Sequence, residues 1–111
     1  MATTVTRGNL VLEEVLQVTL TPNNGTNIPG NSTVETTYAL PGTLPNDFIE
    51  INKPSHTSGI VISNVRVPAA NQIAVQFGNV TASPITPTAE VYLISICRCE
   101  YQTLPTSVQG S

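Results

Sequence analysis

The segment NKPSHTSG, residues 52–59, contains the residue types from which hydrolytic sites are built. Lys53 is the only lysine of the chain and His56 is its only histidine, with Ser55 between them. A serine nucleophile needs a base within hydrogen-bonding reach and a third group that orients the base. The nearest carboxylate in the sequence is Glu50. Because Lys-Pro ends extended segments and Ser, Thr and Gly favour turns, we interpret the segment as a turn and not as an active site.

The CRC sequence places Cys97 and Cys99 two positions apart. In a strand both side chains point to the same face, with Cα atoms about 6.5 to 7 Å apart, which is at the limit for a disulfide. Two thiolates and one distant histidine also fall short of the four ligands that tetrahedral zinc prefers. We therefore predict reduced thiols, no metal site and no cofactor.

The adjacent carboxylates Glu13 and Glu14 are the remaining candidates for acid–base chemistry. Neighbours in a strand point to opposite faces, and neighbours in a helix form a solvated edge, so neither structure pairs them across a substrate. The sequence also has no glycine-rich phosphate loop, no HExxH motif and no interleaving of aromatic and basic residues. We predict that the chain is not an enzyme and has no catalytic residue.

The charge content of the chain is low. Charged residues make up 10% of the 111 residues, and the net charge is −3, whereas about 25% charged residues is usual for a soluble protein. The four basic residues are scattered singly, which provides no basic patch for nucleic acid or anionic lipid. No apolar run approaches the roughly 18 residues of a spanning helix. We expect neither nucleic acid nor a membrane as a partner.

Thr, Ser, Asn and Gln must cover the surface that charged residues leave free. Their hydrogen-bonding groups cost less to desolvate than charges do, and depletion of charge is typical of the cores of protein interfaces. The composition therefore favours a subunit of a larger assembly. A monomer with an unusually neutral surface is the alternative.

Nine prolines and seven glycines separate short segments that are rich in Thr, Val and Ile. Period-two alternation in these segments predicts an all-β fold, a small antiparallel β-sandwich of the Ig-like or jelly-roll-like kind. Residues 89–101 are apolar on both faces, which predicts a central strand. Residues 59–67 are predicted as a strand with uninterrupted alternation. Residues 11–20 are ambiguous between strand and helix, although their second half alternates as a strand does.

The predicted organisation is a single sandwich domain, residues 10–101, with an N-terminal arm, residues 1–9, and a C-terminal tail, residues 102–111. Neither end has the apolar periodicity that fixes a segment to a core. We therefore expect flexible N- and C-terminal arms unless a partner holds them.

Residues 51–98, a little under half of the chain, carry a series of short motifs. These are N-K-P at 52–54, I-x-N-x-R-V at 62–67, A-A-N at 69–71, F-x-N-x-T-A at 77–82, I-T-P at 85–87 and Y-L-x-x-I-x-R at 92–98. The series resembles a pattern of small structural proteins in tailed-bacteriophage virions, of the head decoration (cement) type. The resemblance implies no cofactor and no catalysis.

From this resemblance we predict a capsid decoration protein that stabilises the assembled head shell. Its expected partners are the major capsid protein and itself, as a homotrimer or a dimer. Its expected location is the capsid surface of the virion, after synthesis in the host cytoplasm. The alternative is a glycan- or host-surface-binding module of a fibre or adhesin, although sugar platforms usually need exposed aromatic side chains and the chain has no Trp.

The candidate contact residues lie in the N-terminal arm and at two arginines of the motifs: Thr3, Thr4, Val5, Arg7, Arg66 and Arg98. Arg66 and Arg98 each alternate with apolar residues. We expect them to make charge-assisted hydrogen bonds at a subunit contact or to a buried carboxylate, with Glu50 or Glu90 as candidate partners. A plain surface role is the alternative.

Overall fold

A computed structural model describes residues 9–99, with the backbone alone at Val11, and the backbone of Thr6–Arg7 and Gln102–Thr103. The strands are β1 (Thr6–Arg7), β2 (Leu10–Leu20), β3 (Ser32–Ala39), β4 (Phe48–Asn52), β5 (Ile60–Arg66), β6 (Gln72–Asn79), β7 (Glu90–Cys99) and β8 (Gln102–Thr103). A 3-10 turn spans Pro22–Gly25. None of the described residues belongs to a helix long and apolar enough to cross a membrane.

Two three-stranded antiparallel sheets pack face to face, which confirms the predicted all-β sandwich. The front sheet has the strand order β2-β7-β4, and the back sheet has the order β3-β6-β5. The chain passes from the front sheet to the back sheet between β2 and β3, and it returns to the front for β4. It then crosses to the back for the β5–β6 hairpin and returns to the front for β7. β4 and β5 are therefore edge strands on the same side of the sandwich.

The central strand β7 supplies the middle of the core, as its two apolar faces predicted. Tyr92, Ile94 and Ile96 point inward and are buried, and they meet the inward side chains of β6, the central strand of the back sheet. The rings of Phe77 and Tyr92 pack edge to face with centroids 6.3 Å apart. Burial also raises the pKa of the Tyr92 hydroxyl to about 12. Burying side chains of this size contributes roughly 1.5–3 kcal/mol each, so this layer joins the two sheets.

Residues 11–20 form strand and not helix. β2 runs antiparallel to β7 in a register that pairs Leu16 with Ile94 and Leu20 with Glu90. Leu16, Val18 and Leu20 face the core, as the alternation in this half of the segment predicted. Packing along the whole length of β7 decides the conformation, because tertiary contacts override weak local propensity.

The prediction of uninterrupted alternation in β5 is wrong. The register with β6 shifts between Ile62 and Asn64, so that Ser63 is an extra residue in a β-bulge. The bulge moves the following residues by one position, and Val65 now shares the core side with Ile62. Arg66 consequently points outward from the back sheet.

Buried Asn79 joins the two loops at one end of the sandwich. Its side-chain amide donates to the carbonyl oxygens of Ile28 and Ser83, at 2.9 and 2.8 Å. Its Oδ1 accepts from the backbone N–H and the hydroxyl of Thr81, at 2.9 and 2.7 Å. Gly30 packs so closely on the Ala82 backbone that a Cβ atom would collide with it. Asn79 and Thr81 of the F-x-N-x-T-A motif thus hold the loop that contains Ile28 against the loop that contains Ser83.

Each predicted arm contributes one short strand. Thr6 pairs with Thr103 and Arg7 with Gln102 in an antiparallel ladder. The predicted contact residues Thr3, Thr4 and Val5 lie outside the described residues, as do residues 104–111 of the predicted tail.

Candidate functional site

The segment NKPSHTSG folds as a turn around an ion pair with a distant strand. The Lys53 ammonium donates to Glu90 Oε2 at 2.6 Å, to the Ser55 carbonyl at 2.8 Å and to Thr57 Oγ1 at 3.0 Å. Glu90 is the first residue of β7, and 37 positions separate it from Lys53. The carboxylate that this turn binds is therefore Glu90, and not Glu50, which is the nearest one in the sequence.

The geometry of this cluster suits a structural role. The Ser55 hydroxyl donates to Glu90 Oε2, while His56 is exposed and makes none of the cluster's hydrogen bonds. Hydrogen bonds from Lys53 and then Ser55 lower the pKa of Glu90. A carboxylate with a lowered pKa is a weaker general base at neutral pH. The arrangement holds the turn against β7, in agreement with the turn interpretation.

A second ion pair lies at the other end of β7. Arg98 binds Asp47 with two parallel hydrogen bonds, Nε to Oδ1 and a terminal nitrogen to Oδ2, both at 2.8 Å. Arg98 also donates to the Gly42 carbonyl at 2.7 Å, and Asp47 accepts from the Leu44 N–H at 2.9 Å. The Asp47 side chain is only 2% exposed. The Arg98 guanidinium is the main cause that holds the pKa of Asp47 below its ordinary value.

The two ion pairs tie both ends of β4 to β7. Asp47 directly precedes β4, and Lys53 directly follows it. Their partners Arg98 and Glu90 lie near opposite ends of β7, on the same face as the buried Ile94. A short edge strand is thereby fixed in one register, because a shift by one residue would separate both pairs and turn every side chain of β4 to the wrong face. We call these two pairs the β4 clamps.

Arg66 forms a third ion pair, on the outer surface of the back sheet. Its guanidinium binds Glu35 through Nε at 2.9 Å and through a terminal nitrogen at 2.7 Å. The side chains are 53% and 34% exposed. The hydrogen bond from Arg66 is the main cause of a lowered pKa at Glu35. The predicted charge-assisted hydrogen bonds exist, but the proposed partners Glu50 and Glu90 are wrong, since Arg66 binds Glu35 and Arg98 binds Asp47.

The outward side chains of the front sheet, which we call the front face, form an uncovered apolar surface. Its large exposed residues are Leu10, Val15, Phe48 and Val91, with exposed fractions of 55%, 72%, 57% and 49%. In the register of the sheet, Cys97 pairs with both Glu13 and Phe48, and Ser95 pairs with both Val15 and Glu50. Isolated exposed apolar residues need no explanation, whereas a contiguous group marks an interaction surface.

Glu13 and Glu50 are the only charged side chains of the front face within the described residues, and neither forms an ion pair there. The three described cations, Lys53, Arg66 and Arg98, are all paired with other carboxylates. The front face is therefore both apolar and negatively charged.

A hollow on the front face lies beside Glu50. Its volume is about 230 Å³, and it is lined by Val15, Glu50, Ile51, Asn52, Leu93 and Ser95. A cleft of about 410 Å³ opens on the other side of Glu50, between edge strands β4 and β5. Glu50 thus stands at the border of two concave regions.

The outer surface of the back sheet carries a network of polar side chains bonded to one another, next to the exposed Val61. The Ser63 hydroxyl donates to Gln76 Oε1 at 2.9 Å, and Gln76 Nε2 donates to Thr33 Oγ1 at 3.4 Å. The Arg66–Glu35 pair lies on the same surface. The charged side chains on this surface are therefore paired with each other, whereas Glu13 and Glu50 of the front face form no ion pair among the described residues.

The structure separates the predicted contact residues. Arg98 lies inside one end of the front sheet and Arg66 outside the back sheet, while Arg7 belongs to β1 and only its backbone is described. The front face was missed at the sequence level, although the apolar outward positions Val91 and Leu93 of β7 carried its signal. An alternating pattern does not say which of two apolar faces is covered.

Cys97 and Cys99 are free thiols that share the outward side of β7. Among the described residues, no group of three or more His, Cys, Asp or Glu side chains could hold a metal ion.

Comparisons with protein-family models, curated proteins and solved structures found no match to this chain.

Replacement of the two motif arginines should have unequal effects on stability. Arg98→Ala leaves the buried Asp47 carboxylate without its partner, which costs on the order of 3 kcal/mol of unfolding free energy. Arg66→Ala breaks an exposed pair, and exposed pairs contribute little. Urea unfolding of the two variants and the wild type measures the difference. Equal losses in both variants would contradict the assigned role of Arg98.

The stability of the protein should decrease at acidic pH. The pKa values of Asp47 and Glu90 lie below their ordinary values of 3.8 and 4.5 in the folded protein. The unfolded chain therefore binds protons first, so this stabilisation is complete above about pH 5 and is lost as pH falls through the lowered pKa values. Asp47→Asn should flatten the acid limb of unfolding free energy against pH. An acid limb of equal slope in the wild type and Asp47→Asn would contradict this assignment.

Proposed function

We propose that the chain is a decoration protein of a tailed-bacteriophage head, which binds the assembled shell and stabilises it. The observation that carries the proposal is the front face, which holds Leu10, Val15, Phe48 and Val91, four of the seven large hydrophobic side chains that are exposed among the described residues. The motif series between residues 51 and 98 supports the same class of protein.

The clamps make the front face suitable for docking. Phe48 and Glu50 belong to the edge strand β4, whose two ends are tied to β7. A fixed strand loses little conformational entropy on binding, and preorganisation of this kind increases affinity. The rigid front sheet therefore serves as a platform for a partner surface.

Such a protein stabilises the shell by mass action. If the ligand binds the assembled lattice and not the free capsid subunit, the lattice gains RT ln(1 + [L]/Kd) for each occupied site. The proposed assembly includes copies of the chain itself, as a homotrimer or a dimer. Self-association would use surfaces other than the front face, for example the sheet edges.

Binding to heads that were assembled without this protein tests the proposal. We expect the purified chain to bind these heads at a fixed number of copies, to raise their temperature of disruption, and to bind free capsid subunits far more weakly. Phe48→Ser should abolish binding, while Val80→Ser removes an apolar side chain that is 63% exposed outside the front face and should not. Heads that bind neither the wild type nor the control would contradict the proposal.

A glycan array distinguishes the alternative class. Of the four described aromatic side chains, Phe48 alone is exposed, so a sugar platform built from the described residues would use it. Saturable binding to one glycan class, lost in Phe48→Ser, would replace the decoration proposal with the glycan-binding one.

A further inference from the structure

We propose that the front face receives a lysine or arginine side chain of the capsid protein, whose alkyl stem lies in the hollow beside Val15 and Leu93 and whose cation pairs with Glu50. This inference rests on the proposed function and specifies its partner chemistry. Three observations carry it: the distribution of charge, the shape of the surface beside Glu50, and the poor fit of a second copy.

The charged side chains described on the front face are all negative. Each of the three described cations already forms an ion pair within the chain, and the carboxylates of these pairs are Glu35, Asp47 and Glu90. Glu13 and Glu50 have no ion-pair partner among the described residues and stand on the outer side of the front sheet. An apolar surface whose described charged groups are all carboxylates is complementary to a partner with apolar and cationic side chains.

The shape beside Glu50 fits a long side chain with a charged end. The hollow of about 230 Å³ combines the outward aliphatic side chains of Val15 and Leu93 with Glu50. Lysine and arginine bury their methylene stems along apolar surface while their charged ends reach a polar partner. On docking, water leaves the hollow and the ion pair becomes less screened.

A second copy of the chain fits this surface poorly. A two-fold interface through the front face would bring Glu13 and Glu50 of both copies into the same contact. Like charges at a desolvated interface cost several kcal/mol. The described cations cannot compensate, because Lys53, Arg66 and Arg98 are already paired in each copy.

The first experiment measures binding of Glu50→Gln to heads that were assembled without this protein. The substitution keeps the shape of the side chain and removes its charge. We expect affinity to fall by roughly thirtyfold or more, as when one partner of a desolvated charge pair is removed. The affinity of Glu50→Gln should also depend less on salt than that of the wild type. Glu14→Gln, one residue from Glu13 but on the other side of β2, is the matched control and should bind like the wild type.

The second experiment does not require heads. n-Butylamine reproduces the lysine side chain without its backbone, and NMR of the ¹⁵N-labelled protein reports where it binds. We expect saturable shift changes at Val15, Glu50, Leu93 and Ser95 in the wild type and in Glu14→Gln, and their loss in Glu50→Gln. Uncharged n-butanol should produce smaller changes at the same residues.

The outcomes separate this inference from the proposed function. Wild-type affinity of Glu50→Gln for heads overturns the inference and leaves the decoration proposal intact. Absence of head binding by the wild type overturns the decoration proposal, and with it the capsid origin of the cation, even if butylamine binds at Glu50. Butylamine shifts that are the same in Glu50→Gln, or a Glu50→Gln variant whose oligomeric mass differs from the wild type, overturn the cation site.

Discussion

The structure depends on the two ion pairs that hold β4 against β7. Five residues of strand make too few contacts to define a register by themselves, and β4 has a hydrogen-bonded neighbour on one side only. Asp47 and Lys53 add a charged contact at each end, each with a geometry that β7 fixes. Because both partners lie on the inward side of β7, the pairs also close the two ends of the apolar core. Register, core closure and the orientation of Phe48 therefore follow from the same interactions.

The front face is a consequence of that arrangement. The inward positions of β4 are occupied by Ile49 and Ile51, which places Phe48 and Glu50 outside. If β4 shifted its register by one residue, Ile49 and Ile51 would be exposed and Phe48 would be buried. The β4 clamps hold the register in which Phe48 is exposed, so the protein keeps its fold while an apolar surface stays exposed. This combination of a fixed sheet and an exposed apolar face supports a docking function.

The alternation of residue types was sufficient to predict the all-β sandwich and the central position of β7, but it left residues 11–20 ambiguous between strand and helix. It could not predict the ion pairs, because Lys53 and Glu90 lie 37 positions apart and Asp47 and Arg98 lie 51 positions apart. Their pairing depends on which strand becomes the neighbour of β4. The bulge at Ser63 was missed for a related reason, since its extra residue is defined only against the register of β6. The front face escaped notice because both faces of β7 are apolar, and only the packed sandwich shows which one is covered.

Hydrogen exchange under native conditions tests most directly whether the clamps hold β4. The comparison is between the wild type and a Lys53→Met, Arg98→Met double variant, with exchange followed in β4 and β6 by mass spectrometry. The account predicts that amides of Phe48–Asn52 exchange much faster in the variant, while those of Gln72–Asn79 in the back sheet keep their protection. Unchanged protection of β4, or an equal loss of protection in both sheets, would contradict it.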